Sequence, residues 1–132
     1  MLHYYDAGLL PRSWKTIRRF YGYAWDVIPP YAMENWAYTV PTGRKAILVY
    51  VFIHSVRTVA SSSTNDWGAG LWIPVEMLLR VHRFNPYKDA FVIVAENFYL
   101  PFNESETVTS GTWDYNVDGR VRSYVHGIFL EL

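Results

Sequence analysis

This sequence predicts an all-β fold, a seven- to eight-stranded β-sandwich or jelly roll with an N-terminal aromatic-basic arm, and three observations carry that expectation. From Trp36 onward, short runs of β-branched and aromatic residues alternate with turn-forming Pro, Gly, Asn and Asp at close intervals. That spacing leaves no room for the crossover helices of a parallel sheet. The 132 residues suit one compact domain. Residues 1–35 form the arm or a short helix, and residues 36–132 form the sandwich domain.

The first 35 residues show no period-2 alternation. Trp14, Ile17, Tyr21 and Trp25 recur at spacings of three or four behind the start signals Pro11 and Ser13, which outlines a helix with one aromatic stripe. Gly22 weakens that helix, and Pro29-Pro30 ends it. An extended arm packed on a neighbouring subunit has the same composition, so sequence supports both.

Trp36 to Val40 reads as a short strand, followed by a turn at Pro41-Thr42-Gly43. Arg44 to Val59 is the longest strand. Its middle, Ala46 to Ile53, is apolar at both parities, as expected for the sandwich centre with both faces covered. Ala60 to Asp66, with Gly68 and Gly70, reads as a polar loop. Trp72-Ile73 and Val75 to Phe84 follow, the latter with Val75, Met77, Leu79 and Val81 against Glu76, Arg80 and His82. Asn85 to Asp89 turns the chain into a strand over Ala90 to Ala95, and Leu100 to Asn103 turns it again before Glu106 to Ser110. Thr112 to Val117 and the strand carrying Val121, Ser123 and Val125 are predicted as a hairpin around Asp118-Gly119. Beyond Gly127 the apolar set shifts to Ile128, Leu130 and Leu132, which predicts a bulge at the glycine.

Composition narrows the function. Six Trp, eleven Tyr and seven Phe make 18% of the chain aromatic, more ring than so small an interior holds, and such side chains favour interfaces. The formal charge is zero, yet residues 1–60 hold seven basic and three acidic groups and residues 61–132 hold five and nine. That dipolar layout suits self-complementary assembly, whereas nucleic acid calls for a basic excess. The longest apolar run, Ala46 to Ile53, is far short of the ~20 residues that span a bilayer, and nothing reads as a signal peptide. With no cysteine there is no disulfide or thiolate chemistry.

Candidate chemistry is thin. Asp114-x-Asn116-x-Asp118-Gly119 matches the first half of a calcium loop, but Val125 stands where a bidentate Glu is needed, and Arg120 and Arg122 add positive charge. His3, His54, His82 and His126 are scattered and form no metal motif. Ser61-Ser62-Ser63 lacks a nucleophile elbow, and neither Glu104 with Glu106 nor Asp114 with Asp118 is spaced to flank a substrate. Asn103-Glu104-Ser105 is a sequon by pattern only. Arg18-Arg19 among rings fits a nucleic-acid stacking strip less well than a protein-docking arm, because Asp6, Asp26 and Glu34 dilute it. No cofactor site is expected, and the chain reads as a non-enzyme.

Tyr38-Thr39-Val40-Pro41-Thr42-Gly43-Arg44-Lys45-Ala46-Ile47-Leu48, Leu100 to Val108, and the ending Gly127-Ile128-Phe129-Leu130-Glu131-Leu132 together resemble small β-sandwich or jelly-roll accessory structural proteins of tailed-phage and related virions. The resemblance covers residues 36–132, and Glu104 and its neighbours stand where that second turn usually has a glycine. It implies a virion location and a capsid decoration (cement) protein or a head-fibre or tail module. It also implies a homo-oligomer, trimeric or otherwise symmetric, with the major capsid protein or neighbouring subunits as partners. On that reading Arg12, Trp14, Lys15, Arg18, Arg19 and Trp25 are the partner-binding anchors of the arm, since Trp, Tyr and Arg dominate interface energetics. Two other classes compete. In a carbohydrate-binding sandwich, exposed Trp67, Trp72 or Trp113 stack on sugar rings beside Asn65 and Asp66; in a cupin-like metal enzyme, histidines converge from facing strands.

Overall fold

The computed structural model describes residues 16–27, 32–73, 76–116 and 118–132. They form eight strands: β1 (Thr16–Val27), β2 (Ala32–Thr39), β3 (Ala46–Val59), β4 (Trp67–Ile73), β5 (Glu76–Arg83), β6 (Phe91–Phe102), β7 (Thr107–Asp114) and β8 (Arg120–Glu131). Sheet A has the order β1-β8-β3-β6 and sheet B the order β2-β7-β4-β5, with every pairing antiparallel. The pairs β1·β8, β2·β7, β3·β6 and β4·β5 are successive rungs of one long hairpin, rolled up so that β3 meets β8 and β4 meets β7. This is a jelly roll.

Residues 16–27, read as helix or arm, pair with β8 along their length. The physical reason is period 2: Phe20, Gly22 and Ala24 face inward while Ile17, Arg19, Tyr21 and Tyr23 face outward, and aromatic residues fit a pleated surface better than a helix. The boundary set at residue 35 falls inside β2. Residues 1–15, with Arg12, Trp14 and Lys15, lie outside the described residues.

One aromatic cluster joins the sheets. The Phe129 ring lies 5.7 Å from Phe20, 6.2 Å from Trp36, 4.4 Å from Tyr38 and 6.3 Å from Phe102. Leu48, Val51, Ile53, Ala69, Leu71, Val108 and Val125 extend it as one apolar layer. Gly127 is not a bulge: the register of β1 on β8 runs through it without a break, and a Cβ there would stand 2.8 Å from the Trp36 indole. Close packing explains that glycine. Gly68 and Gly70, read as loop, lie inside β4, where Cβ atoms would run into the carbonyl oxygens of Val81 and Leu79. Gly43 does adopt a positive φ of 77°, and the Arg44 amide donates to the Pro41 carbonyl at 3.1 Å, so the predicted turn forms.

Both ends of the layer are charged. At one end Glu131, 1% exposed, accepts from the Tyr38 hydroxyl at 2.5 Å and from Arg18 Nε at 3.2 Å. Burial, then the Glu131 carboxylate, pushes the Tyr38 phenol well above its usual range. At the other end Arg57 and Asp114 are fully buried and pair through both guanidinium nitrogens at 3.3 and 3.4 Å. Arg57 also lies over the Trp67 ring, and both side chains donate to the Asn85 carbonyl.

That second end corrects two expectations. Residues 112–125 are not a hairpin, because β7 lies in sheet B and β8 in sheet A. The calcium-like carboxylates are consumed internally. Asp114 holds Arg57 and the Asn116 amide; Asn116 Oδ1 accepts from Ser63 Oγ and the Asn65 amide; Asp118 accepts from Ser61 Oγ and the Ser62 amide. These bonds pin the arch between β7 and β8 to the arch between β3 and β4.

Replacing Asp114 by Ala is therefore expected to cost about 3–5 kcal/mol in urea denaturation, because it strands a buried guanidinium. Asp118→Ala, on the exposed side of the same arch, is expected to destabilise far less, because water replaces its bonds to Ser61 and Ser62, and added calcium is expected to leave the wild-type melting temperature where it was.

Candidate interaction surface

The outer face of sheet A is built by four strands in register. One row runs Arg19, Ile128, Tyr50, Asn97; the next Tyr21, His126, Phe52, Ala95; the next Tyr23, Tyr124, His54, Ile93. Arg122, Val56 and Phe91 continue the pattern, and Ile17, Leu130, Ile47 and Pro101 close the opposite end. The Tyr21 and His126 rings stack at 4.2 Å, Tyr23 and Tyr124 lie at 4.8 Å, and Phe52 and Tyr124 at 5.9 Å. Tyr21, Tyr23, Phe91 and Ile93 are each more than half exposed.

This face explains why β3 is apolar at both parities. Its inner residues Leu48, Val51 and Ile53 meet sheet B, whereas Tyr50, Phe52 and Val56 point away from it and stay half-buried among their neighbours. Among the described residues the face carries arginines, Arg19 and Arg122, and no carboxylate. Burial, reinforced by Arg19, holds the His126 imidazole below its usual pKa, so it is neutral at pH 7. Burial and the hydroxyls of Tyr23, Tyr21 and Tyr50 push the Tyr124 phenol up. At neutral pH the face is thus an aromatic sheet with cationic margins.

Of the six predicted anchors, the structure places Arg18 and Arg19 on opposite sides of β1. Arg18 turns inward to Glu131, and Arg19 stands on the outer face beside His126. The backbone of Trp25 belongs to β1. Sequence reading missed the outer tyrosines of β1 and β8, whose signal was their shared parity across a register that no single strand reveals.

The tryptophans proposed to stack on sugars do not share one surface. Trp67 is fully buried under Arg57, so its expected exposure is incorrect. Trp72 and Trp113 lie on the outer face of sheet B, where Trp113 is covered by Arg80, whose guanidinium stands 5.4 Å from the ring centroid. Met77 joins them rather than the core, because a register shift between Leu71 and Trp72 pairs Trp72 with Met77. Among the described residues the histidines do not converge either: His54 and His126 are on the outer face of sheet A, and His82 on that of sheet B, while His3 lies outside the described residues. No group of three His, Asp or Glu that could hold a metal ion occurs among the described residues. Glu104 accepts from the Gly43 amide and Glu106 from the Asn103 amide, so both serve a turn.

No protein-family model and no curated protein sequence matches this chain. Among solved structures, a chain of the acidic stable capsid structure of Helicobacter pylori bacteriophage KHP30 is similar in fold, with a TM-score of 0.54 at 13% identity, covering 90% of this chain and 94% of that one. A chain of the cyanophage Pam1 capsid asymmetric unit gives 0.41 at 13% identity over 88% and 86% of the two chains. The Drosophila NLP core gives 0.35 at 12% identity over 86% and 98%.

The lowered pKa of His126 fixes a sign. Below about pH 6.5 the unfolded chain takes up a proton that the folded chain resists, so stability is full above that pH and falls as the pH drops toward the lowered folded value. Urea titrations between about pH 8 and about pH 5 are expected to show this loss, and His126→Gln to flatten it in part. His82, shifted the same way by burial and Arg80, leaves a residual slope.

Proposed function

We propose that this chain is a virion structural protein, not an enzyme, and that it works by burying the outer face of sheet A against neighbouring subunits of the particle. The observation that carries the proposal is the exposed aromatic face itself. Tyr21, Tyr23, Phe91 and Ile93 are each more than half exposed on one side of the sandwich. Rings and apolar side chains gathered on one surface mark an interaction site. Four strands and five rows span about 20 by 30 Å, the footprint of one side of a standard interface, which buries ~800 Å² per partner. The fold shared with a phage capsid chain over nine-tenths of both lengths supports the particle as the setting.

Within that setting the reading favours a capsid decoration protein or a head-fibre or tail module in a symmetric homo-oligomer, a trimer being the simplest, docked on the major capsid protein. Arg19 extends the cationic margin of the face, and Arg12, Trp14, Lys15 and Trp25 are proposed to add contacts to the same neighbour. Among the described residues no histidines converge to support a cupin-like reaction.

The test is a double variant, Tyr23→Glu with Ile93→Glu, placed on outward, exposed positions. It is expected to keep the circular dichroism and melting of the wild type but to sediment as a monomer and fail to enter the particle. Assembly at wild-type level would overturn the proposal. Removal of residues 1–15 is expected to leave the sandwich folded and to weaken assembly; unchanged assembly would remove the arm from the account.

A further inference from the structure

The outer face of sheet B differs from that of sheet A. Gly70 of β4 and Gly111 of β7 are paired, and neither tolerates a side chain: a Cβ on Gly111 would stand 2.3 Å from Trp72 Cη2, and one on Gly70 would stand 2.4 Å from the Leu79 carbonyl oxygen, with Trp113 Cη2 in ordinary contact at 3.4 Å. The two indoles therefore lean onto a floor of bare backbone. Around them Met77, Arg80, Asp66 and Tyr115 complete an open pocket of about 290 Å³. That is at the lower limit of the ~300–1,000 Å³ of small-molecule sites, so it suits one ring.

Asp66 has one oxygen on Arg80 and the other against His82 Nδ1 at 3.0 Å. Trp113, 4% exposed, has an indole N–H with no hydrogen-bond partner, and Tyr115 is about half exposed. The ion pair cancels the local charge. The pocket thus offers an apolar platform, Arg80 N–H donors, a Tyr115 hydroxyl that both donates and accepts, and no net charge.

We infer that this pocket binds a neutral pyranose sugar, whose C–H face packs on Trp72 while its hydroxyls bond Tyr115 and the remaining Arg80 N–H groups. A ring with one apolar face and an edge of hydroxyls that both donate and accept matches that inventory. The inference goes beyond the assembly role and does not depend on it, since the two surfaces lie on opposite sheets.

The experiment is a titration of the full isotope-labelled chain with methyl glycosides of glucose, galactose, mannose and N-acetylglucosamine, followed by the indole N–H resonances. At least one glycoside is expected to move the Trp113 and Trp72 signals saturably in the millimolar range, independently of salt. Trp72→Ala is expected to abolish the shift, and Tyr115→Phe, a safer surface change, to weaken binding roughly two- to tenfold. The inference is overturned if no glycoside moves either indole, if both variants bind as wild type, or if only a sialylated sugar or a proline-rich peptide produces the shift.

Discussion

Two four-stranded sheets enclose a single apolar layer, and in this chain that layer closes around Phe129. Its ring touches side chains from β1, β2 and β6, drawing the first, second and sixth strands of the rolled hairpin onto the last. Trp36 and Tyr38 fill the gap from sheet B, and Gly127 must lack a side chain to admit the indole. The tyrosines of β1 and β8 stand outside because they alternate with the inward residues of their strands.

The charged ends of the layer serve geometry more than stability. A buried pair such as Arg57–Asp114 loses in desolvation much of what it gains in attraction. Its effect is positional: it requires the arches after β3 and β7 to meet, which they do through Asn116, Asp118 and the serines of residues 61–63. At the far end Glu131 does the same for β1, β2 and β8 through Arg18 and Tyr38. A slip of one residue in any of these strands would strand a charge in the apolar layer. The roll is held in register from both ends, and both outer faces are thereby fixed.

Much of the fold was legible in sequence where signals were local. The turn at Gly43, the central position of β3 and the strand count all follow from short-range chemistry. What misled was equally local. Trp14, Ile17, Tyr21 and Trp25 imitate a helical stripe, and Asp118-Gly119 imitates a hairpin turn, because neither pattern reveals that the partner strand lies in another part of the chain. Gly68 and Gly70 looked like loop residues, since the carbonyls that exclude a Cβ come from β5. The candidate surface was foreshadowed by the aromatic surplus and by the both-sided apolarity of β3, but its members come from four strands. Only register assembles them. The anchors Arg18 and Arg19, adjacent in sequence, end on opposite faces of one strand, so a linear arm could not describe both.

The central claim is that the outer face of sheet A is solvent-exposed only until the protein assembles. Hydroxyl-radical footprinting of the isolated chain against the chain in its particle tests it most directly. Tyr21, Tyr23 and Phe91 are expected to be labelled readily in isolation and to be protected on assembly, while Tyr87, outside the face and more open in the isolated chain, stays reactive in both. Equal labelling of the three rings in the two states would contradict the account.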